Sequence, residues 1–279
     1  MLDRDAIAPV YANLIAISIL PFIMIVLAFW IWSLVKIRNP TMPLDKFRHH
    51  TKGTIINLLF LVYPTILKVT VQIFACSPIL GTSYLDVYME DECWTGDHWT
   101  YTTSVAIPAL LLWGIGLPFL ACFVLYKNAR RRRLDTRKNR EVYGFLYLGF
   151  HPKKYWWEFV IVIRKVTLLM TLVWLNHISV ESQVVVLLLI IIIAYRLQYA
   201  TNPYRTELMN YIETLSLVVS FLTVYVGLWY LTVEIENEQF KIFIFVMLII
   251  TNVIFVIFWL IAYIRSRSWP DRFVKYFRF

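Results

Sequence analysis

The stretch from Val184 to Ala194, VVVLLLIIIIA, contains no polar residue and decides the class of fold. It lies within a longer apolar segment, and a helix needs about 20 such residues to cross the hydrocarbon core of a membrane. Segments of similar length and composition recur along the chain. We therefore predict an all-α membrane protein, a bundle of about seven transmembrane helices. The predicted spans are 12–35, 55–76, 102–126, 156–176, 180–199, 210–233 and 240–264.

The composition of the whole chain agrees with membrane insertion. Of its 279 residues, 59% are hydrophobic and 16% are charged, and the mean hydropathy is +0.64. Soluble domains are about 45–50% apolar and about 25% charged. So much apolar surface cannot be hidden inside a soluble domain of this size. We expect lipid to cover it, in a single transmembrane domain over residues 1–279.

Basic residues collect on one side of the predicted spans. The first, third and fifth loops, the C-terminal tail and the inner end of the fifth span, at Arg196, together hold 22 of the 27 Lys and Arg residues. The second loop contains five acidic residues and no basic one. Because loops rich in Lys and Arg stay in the cytoplasm, the pattern predicts an N-terminus outside and a C-terminus in the cytoplasm. The same pattern explains the net charge of +9 without a nucleic-acid partner.

Two of the loops have features of their own. Cys76 and Cys93 bracket part of the acidic outer loop, 77–101, and could form a disulfide if that loop faces an oxidising compartment. The third inner loop, 127–154, is strongly basic and suits anionic lipid on the cytoplasmic side, at about 1 kcal/mol per basic residue near the surface. Its candidate lipid contacts are Arg130, Arg131, Arg132 and Arg133.

The chain carries none of the short motifs of soluble enzymes. The phosphate-binding P-loop, the His-Glu-x-x-His helix and the Gly-x-Ser-x-Gly turn are all missing from its sequence. A bis-histidine haem needs imidazoles that face each other inside the bundle, whereas the histidines here are predicted in loops or at helix ends. We expect no enzymatic activity, no cofactor and no metal site.

The second predicted span contains an ionisable residue at membrane depth. Lys68 lies about 13 residues into that span, which is about 20 Å along a helix and past the bilayer centre. Gln72 follows one turn later on the same face. Charged groups inside membranes are costly and therefore mark candidate functional sites. Lys68 and Gln72 either line or gate a polar cavity, or the Lys68 side chain extends to the membrane surface or pairs with an acid of the outer loop.

A second group of charged residues belongs to the fourth and sixth predicted spans. Glu158, Arg164 and Lys165 lie on the fourth span, where Glu158 and Lys165 are seven residues apart and share a face. Glu213 opens the sixth span. We expect all four in the inner third of the bilayer, where Arg164 or Lys165 could neutralise Glu213. This group is either a structural ion-pair network or a conduction or gating site.

The third predicted span contains residues that bend helices. Prolines remove backbone hydrogen bonds, and glycines allow bending or close helix contact. The sequence therefore predicts either a hinge or ordinary helix packing in this span. The residues concerned are Pro108, Gly114, Gly116 and Pro118.

Several short motifs resemble those of a known group of proteins. They are Tyr143–Tyr147, His151–Glu158, Asn202–Tyr204 and Asn210–Glu213. In this order they resemble the C-terminal membrane region of TRP-like, polycystin-related surface proteins of ciliates and other protists, which carry EGF-like or cysteine-rich repeats. A more distant resemblance is to the fungal TRP-like flavin-carrier family. The resemblance covers about residues 50–265 and implies a shared framework of Glu158, Arg164, Lys165, Pro203, Asn210 and Glu213.

The chain also departs from that group in two respects. The repeat-rich ectodomain is missing, so we expect a short homologue, a processed piece or a fragment of a longer chain. TRP and polycystin channels form their pore with a re-entrant loop between the last two helices. The corresponding loop here, 232–239, is too short to carry a filter, and no filter sequence is present.

The predicted function is that of a TRP-like membrane channel or sensor domain that could conduct cations. We expect a homo-oligomer or a partnership with other membrane subunits, in a plasma or ciliary membrane, with an organelle membrane as the alternative. One alternative is an accessory or scaffold subunit of a larger membrane complex, such as a mitochondrial assembly. A seven-helix receptor is another, although the third span lacks a terminal Asp-Arg-Tyr.

Overall fold

A computed structural model describes residues 7–175, 179–232 and 238–267. The chain is mostly helical, with a small sheet between its second and third helices. The strands are β1 (Cys76–Ile79), β2 (Thr82–Leu85) and β3 (Tyr88–Glu92). The helices are α1 (Pro9–Arg38), α2 (Leu44–Gln72), α3 (Gly96–Arg130), α4 (Arg137–Tyr147), α5 (Trp157–Trp174), α6 (Val180–Thr201), α7 (Glu207–Thr232) and α8 (Glu238–Arg267).

Six of these helices are long and apolar enough to cross a membrane, namely α1, α2, α3, α6, α7 and α8. They confirm the helical membrane class. The fourth predicted span corresponds to α5, which has 18 residues and includes Glu158, Arg164 and Lys165. At 1.5 Å per residue α5 measures about 27 Å, slightly less than the hydrocarbon core of about 30 Å. The count of seven spans and the orientation therefore stay predictions.

The boundaries of α2 differ most from the prediction. The helix begins at Leu44 instead of residue 55 and ends at Gln72 instead of residue 76. Hydropathy identifies only the part of a helix that suits lipid, so the polar first turns of α2 fell outside the predicted span. For the same reason the basic segment 127–154 was predicted as a loop, although α4 lies within it.

The predicted outer loop is folded as an antiparallel sheet with the strand order β1-β2-β3. Leu80 and Gly81 connect β1 to β2, and both have positive φ, at 51° and 94°. Two central residues with positive φ form the type of turn that matches the twist of a tight hairpin. The pairing of β2 with β3 shifts in register between Tyr84 and Leu85. This sheet was not predicted.

The chain up to residue 177 forms a first compact unit, in which α2 is the central helix. It packs against α1, α3, α4 and α5. Tyr63 and Leu67 are buried in one cluster with Val162 of α5. Ile66 is buried in another cluster with Trp113 of α3. Because lipid is as apolar as these side chains, such contacts depend on close packing and hydrogen bonds rather than on exclusion of water.

The second unit begins at residue 178, and within it α7 packs against both α6 and α8. Asn210 closes the turn between α6 and α7. Its Oδ1 accepts a hydrogen bond from the Tyr204 backbone N–H at 3.0 Å, and its Nδ2 donates to the Tyr204 carbonyl at 2.9 Å. Pro203 is buried in the same turn. Both residues therefore have a structural role in this turn.

Candidate functional site: a disulfide-bonded cap on the first unit

The segment Cys76–Thr95, which we call the cap, is closed by a disulfide. The bond joins Cys76 at the start of β1 to Cys93 just after β3, with the two Cα atoms 6.4 Å apart. A disulfide restricts the unfolded chain, and one that closes a loop of this size stabilises the fold by about 2–4 kcal/mol. These are the two cysteines that the sequence suggested as a possible disulfide. The bond fixes the two ends of the cap to each other.

His98 attaches the helices to each other beside the cap. It lies in the first turns of α3 and is 1% exposed. Its Nδ1 accepts a hydrogen bond from the Trp94 backbone N–H at 2.9 Å, so the ring proton is on Nε2, which donates to the Ile73 carbonyl at 3.0 Å. These bonds join the end of α2 to the start of α3. The sequence indicated only a histidine in a loop or at a helix end.

Cys76, Cys93 and His98 also form a cluster with the composition of a metal site. Their sulfur atoms and a ring nitrogen lie within 4.8 Å of one another, and free thiolates with an imidazole would suit zinc. The two sulfurs, however, are bonded to each other. Both nitrogens of His98 are occupied by hydrogen bonds. The arrangement therefore favours a structural role for these three residues.

Tyr11 connects α1 to the cap. Its hydroxyl donates a hydrogen bond to Oδ2 of Asp91 in β3 at 2.7 Å. Its ring stacks on Tyr101 of α3, with centroids 4.4 Å apart and an interplanar angle of 15°. Hydrogen bonds to a charged acceptor are stronger than neutral ones. One buried side chain of α1 thus contacts both the cap and α3.

Buried polar atoms without partners occur in and beside the cap. Both carboxylate oxygens of Asp86, and the hydroxyl of Thr102 in α3, are shielded from solvent and have no hydrogen-bond partner in the part of the chain that the structure describes. The backbone N–H of Asp86 donates to the Ala75 carbonyl at 3.0 Å. Burying a carboxylate without donors is unfavourable. The surrounding fold must therefore hold Asp86 in place.

The exposed side of the cap carries a tyrosine–carboxylate pair. Tyr88 donates its hydroxyl proton to Oε2 of Glu90 at 2.7 Å. This hydrogen bond, together with the nearby negative charge, raises the pKa of Tyr88 above its ordinary value. The pair orders two side chains of β3 on the acidic surface of the cap.

The helix that follows the cap is wound unevenly. Thr102–Ala106 and Leu110–Gly116 in α3 are π-helical, with Pro108 between them. A π-helical turn is wider than an α-helical one and is frequent at functional sites. Of the bend-prone residues predicted in this span, Gly114 and Gly116 lie in the second π-helical segment. The choice between a hinge and ordinary packing stays open.

Hydrogen bonds hold the second π-helical segment to its neighbours. The Gly114 carbonyl accepts a hydrogen bond from the Tyr63 hydroxyl of α2 at 3.0 Å. In a regular α-helix that carbonyl would accept from the N–H of residue 118, but Pro118 has none. The Tyr63 hydroxyl therefore adds a side-chain donor next to the position where proline removes one from the helix. In addition, Trp113 Nε1 donates to the Ser18 carbonyl of α1 at 3.3 Å.

Lys68 and Gln72 lie nearer the end of α2 than predicted. Because α2 ends at Gln72, Lys68 is one turn from its end, about 6 Å along the helix axis. Its side chain is exposed on the first unit, and Gln72 is half-buried. This position favours the alternative in which the Lys68 ammonium extends to the membrane surface.

The other predicted polar residues are divided between the two units. In α5, Glu158 and Arg164 are half-buried and Lys165 is exposed. Glu213 is half-buried in α7, which belongs to the second unit. Neutralisation of Glu213 by Arg164 or Lys165 stays a prediction. In the first unit, all four arginines of the run Arg130–Arg133 are exposed at the end of α3.

Fold and site together define a helical membrane protein with a disulfide-bonded cap. The chain is similar to Cysteine repeat modular protein A of Toxoplasma gondii, with 35% identity over 130 residues. The matched part is 43% of this chain and 4% of that protein, so the chain spans a small fraction of its relative. No protein-family model and no solved structure matches the chain. The similarity supports the cysteine-repeat part of the resemblance and gives no support to the TRP-like part.

The contacts that attach the cap were not predicted from the sequence. Tyr11 and Asp91 are 80 residues apart and belong to no motif. His98 had a weak local signal, since it follows Cys93 by five residues in a loop that was already expected to contain a disulfide. Nothing in the sequence marked Asp86 among the acidic residues of that loop.

Proposed function

We propose that this chain is a sensor-type membrane domain, in which the cap receives a stimulus and the helices transmit it. The observation that carries the proposal is the attachment of the cap region to three helices at once. Tyr11 joins it to α1, and His98 joins α2 to α3. A force or ligand that moved the cap would therefore move three helix ends.

In the proposed topology the chain crosses the membrane seven times, with α5 as the fourth span. The N-terminus and the cap lie outside, and the C-terminus is cytoplasmic. The distribution of 22 of the 27 basic residues supports this orientation. A disulfide in the cap supports it as well, because such bonds persist in oxidising compartments. The plasma or ciliary membrane would satisfy both conditions.

The proposed route of transmission is α3, which begins beside the cap and contains the two π-helical segments. Interfaces with two discrete packings can convert a small displacement into a larger one. Two side-chain hydrogen bonds hold the segment Leu110–Gly116. It accepts one from the Tyr63 hydroxyl of α2 and donates one to the Ser18 carbonyl of α1. A shift at the start of α3 would change the winding here and reach the basic end of the helix.

Hydrogen–deuterium exchange of the full chain in nanodiscs tests this proposal. Tyr11→Phe keeps the ring that stacks on Tyr101 and removes only the hydroxyl that donates to Asp91. Losing about 1.5 kcal/mol from a charge-assisted hydrogen bond should speed exchange in the cap about tenfold. If α3 transmits the change, exchange should also rise in peptides covering 102–117.

Tyr126→Phe is the matched control, because Tyr126 is an exposed tyrosine near the other end of α3. Its exchange pattern should equal that of the wild type. Faster exchange confined to residues 9–12 and 88–92, with peptides of 102–117 unchanged in Tyr11→Phe, would show that the cap is attached but transmits nothing. The sensor proposal would then be wrong.

A cation-conducting, TRP-like protein is the second candidate. The observation that favours it is that Glu158 and Arg164 are half-buried in the mostly apolar helix α5. Lys68, Gln72, Lys165 and Glu213 are the further candidates for lining or gating a path, in a homo-oligomer or with other subunits. Wild-type protein in liposomes that passes no cation current under stretch, voltage or reduction of the cap would exclude conduction and favour an accessory subunit.

A further inference from the structure

The arginine run Arg130–Arg133 points to a function that the sensor proposal does not include. Tyr126 is exposed where the apolar part of α3 ends, and such aromatic residues favour the membrane–water interface. Arg130 follows four residues later, about 6 Å further along the helix. The headgroup layer on each side of a bilayer is about 5–8 Å thick. In the proposed topology the run therefore begins at headgroup depth.

The backbone of the run is held in one conformation. The Arg133 N–H donates to the Asn128 carbonyl at 2.9 Å. The Arg133 carbonyl accepts hydrogen bonds from Oγ1 of Thr136 and Nδ2 of Asn139, both at 2.7 Å. Arg132 has a φ of 52°, in the left-handed region that glycine usually occupies at helix ends. Keeping arginine at this position has a conformational cost, which the hydrogen bonds offset.

The helix after the run is fixed to the bundle. Tyr147 of α4 donates its hydroxyl proton to the Leu134 carbonyl at 2.6 Å. Leu146 of α4 is fully buried. A Cβ atom on Gly53 of α2 would lie 3.0 Å from the Glu141 carbonyl, so the backbones of α2 and α4 approach closely. These contacts hold the run on a rigid support, whereas a basic segment that only directs membrane insertion needs no such support.

The charges of the run are not neutralised by neighbouring side chains. Over the described residues, Arg137 is paired with Glu141 at 3.0 Å, and none of the four arginines of the run has a carboxylate partner. All four are exposed. Guanidinium groups on four successive residues repel each other, so an anion with several charges would relieve more repulsion than one with a single charge. Guanidinium groups also match phosphate oxygens in a bidentate geometry.

We propose that the run Arg130–Arg133 is a binding site for the polyphosphorylated headgroup of an anionic lipid in the predicted cytoplasmic leaflet. Depth in the membrane favours a lipid over a soluble phosphate, because the guanidinium groups reach headgroups without leaving the surface of the bundle. Charge density favours a phosphorylated inositol headgroup over a headgroup with one net charge. The fixed turn lowers the entropy lost on binding.

Native mass spectrometry of the full chain, titrated with phosphatidylinositol bisphosphate or with phosphatidylserine at equal total lipid charge, tests the site. The wild type should bind the bisphosphate lipid at least tenfold more tightly. Arg131→Gln should weaken that binding about fivefold, the equivalent of about 1 kcal/mol per basic residue near the surface. Arg196→Gln, an exposed arginine of α6 on the same predicted side, is the control and should bind like the wild type.

A second variant separates the contribution of the fixed turn to lipid affinity from that of the charges. Asn139→Ala removes one hydrogen bond to the Arg133 carbonyl and leaves every charge in place, and it should weaken binding about threefold to fivefold. Wild-type affinity in this variant would overturn the role of the turn. Equal affinity for the two lipids, or an equal loss in Arg196→Gln, would overturn the site itself. Equal affinity for soluble inositol trisphosphate and for the bisphosphate lipid would replace the lipid with a soluble ligand.

Discussion

His98 shows how much a single buried side chain contributes to the attachment of the cap. Its ring satisfies the Trp94 N–H and the Ile73 carbonyl at once. His98→Phe would keep a ring of similar size and leave both backbone groups without these partners, each at a cost of about 1–3 kcal/mol. We expect the melting temperature in detergent to fall by roughly 5–10 °C. His151→Phe, at an exposed histidine, is the control, and an equal fall in both variants would contradict the assigned role.

Tyr63 makes a comparable prediction inside the bundle. Tyr63→Phe leaves the Gly114 carbonyl with neither the Tyr63 hydroxyl nor an N–H from Pro118. The loss of about 1 kcal/mol should appear as faster amide exchange in 110–117, about fivefold, with little change at the start of α3. Unchanged exchange in that segment would show that the π-helical winding does not depend on this hydrogen bond.

At the scale of residues, the sequence identified groups with unusual chemistry and missed those with long-range partners. The two loop cysteines and the bend-prone residues of α3 stood out by type and place. The partner of Tyr11, by contrast, is 80 residues away. Lys68 lies one turn from the end of α2, because the helix ends at Gln72 and not at residue 76. Its depth in the membrane stays a prediction.

Among the elements, α5 is the one on which the topology depends. If it spans the membrane, His151 before it and Glu181 after it lie on opposite sides. Single cysteines at these two positions, in a Cys122→Ser background, can be labelled on intact cells with a membrane-impermeant maleimide. Position 181 should react directly, and position 151 only after permeabilisation. Labelling of both from one side would contradict a seven-span topology.

Hydropathy predicted the long helices well because lipid imposes the same requirement on each of them. It could not predict elements that lie outside lipid. The strands of the cap have four or five residues each, too few for a pattern in so polar a loop. The first turns of α2 and the whole of α4 are amphipathic and basic, and their helical structure depends on packing against each other.

For the whole molecule, the charge distribution and the disulfide are independent arguments for one orientation. The first depends on how loops are retained during insertion, and the second on the redox state of the compartment that the cap reaches. A cap in the cytoplasm would agree with neither the charge distribution nor the disulfide. The similarity to a cysteine repeat modular protein covers too little of that protein to decide the matter.

The oxidation state of the cap in cells tests this agreement directly. In a Cys122→Ser background the cysteines left are Cys76 and Cys93. Protein denatured in a polyethylene glycol maleimide should show no gel shift before reduction and a double shift after it, because both thiols are bonded in an oxidising compartment. Adding Cys76→Ser frees Cys93 and should give a single shift without reductant, which controls for reactivity. A double shift before reduction would place the cap in a reducing compartment, and the proposed orientation would then be wrong even if all seven helices cross the membrane.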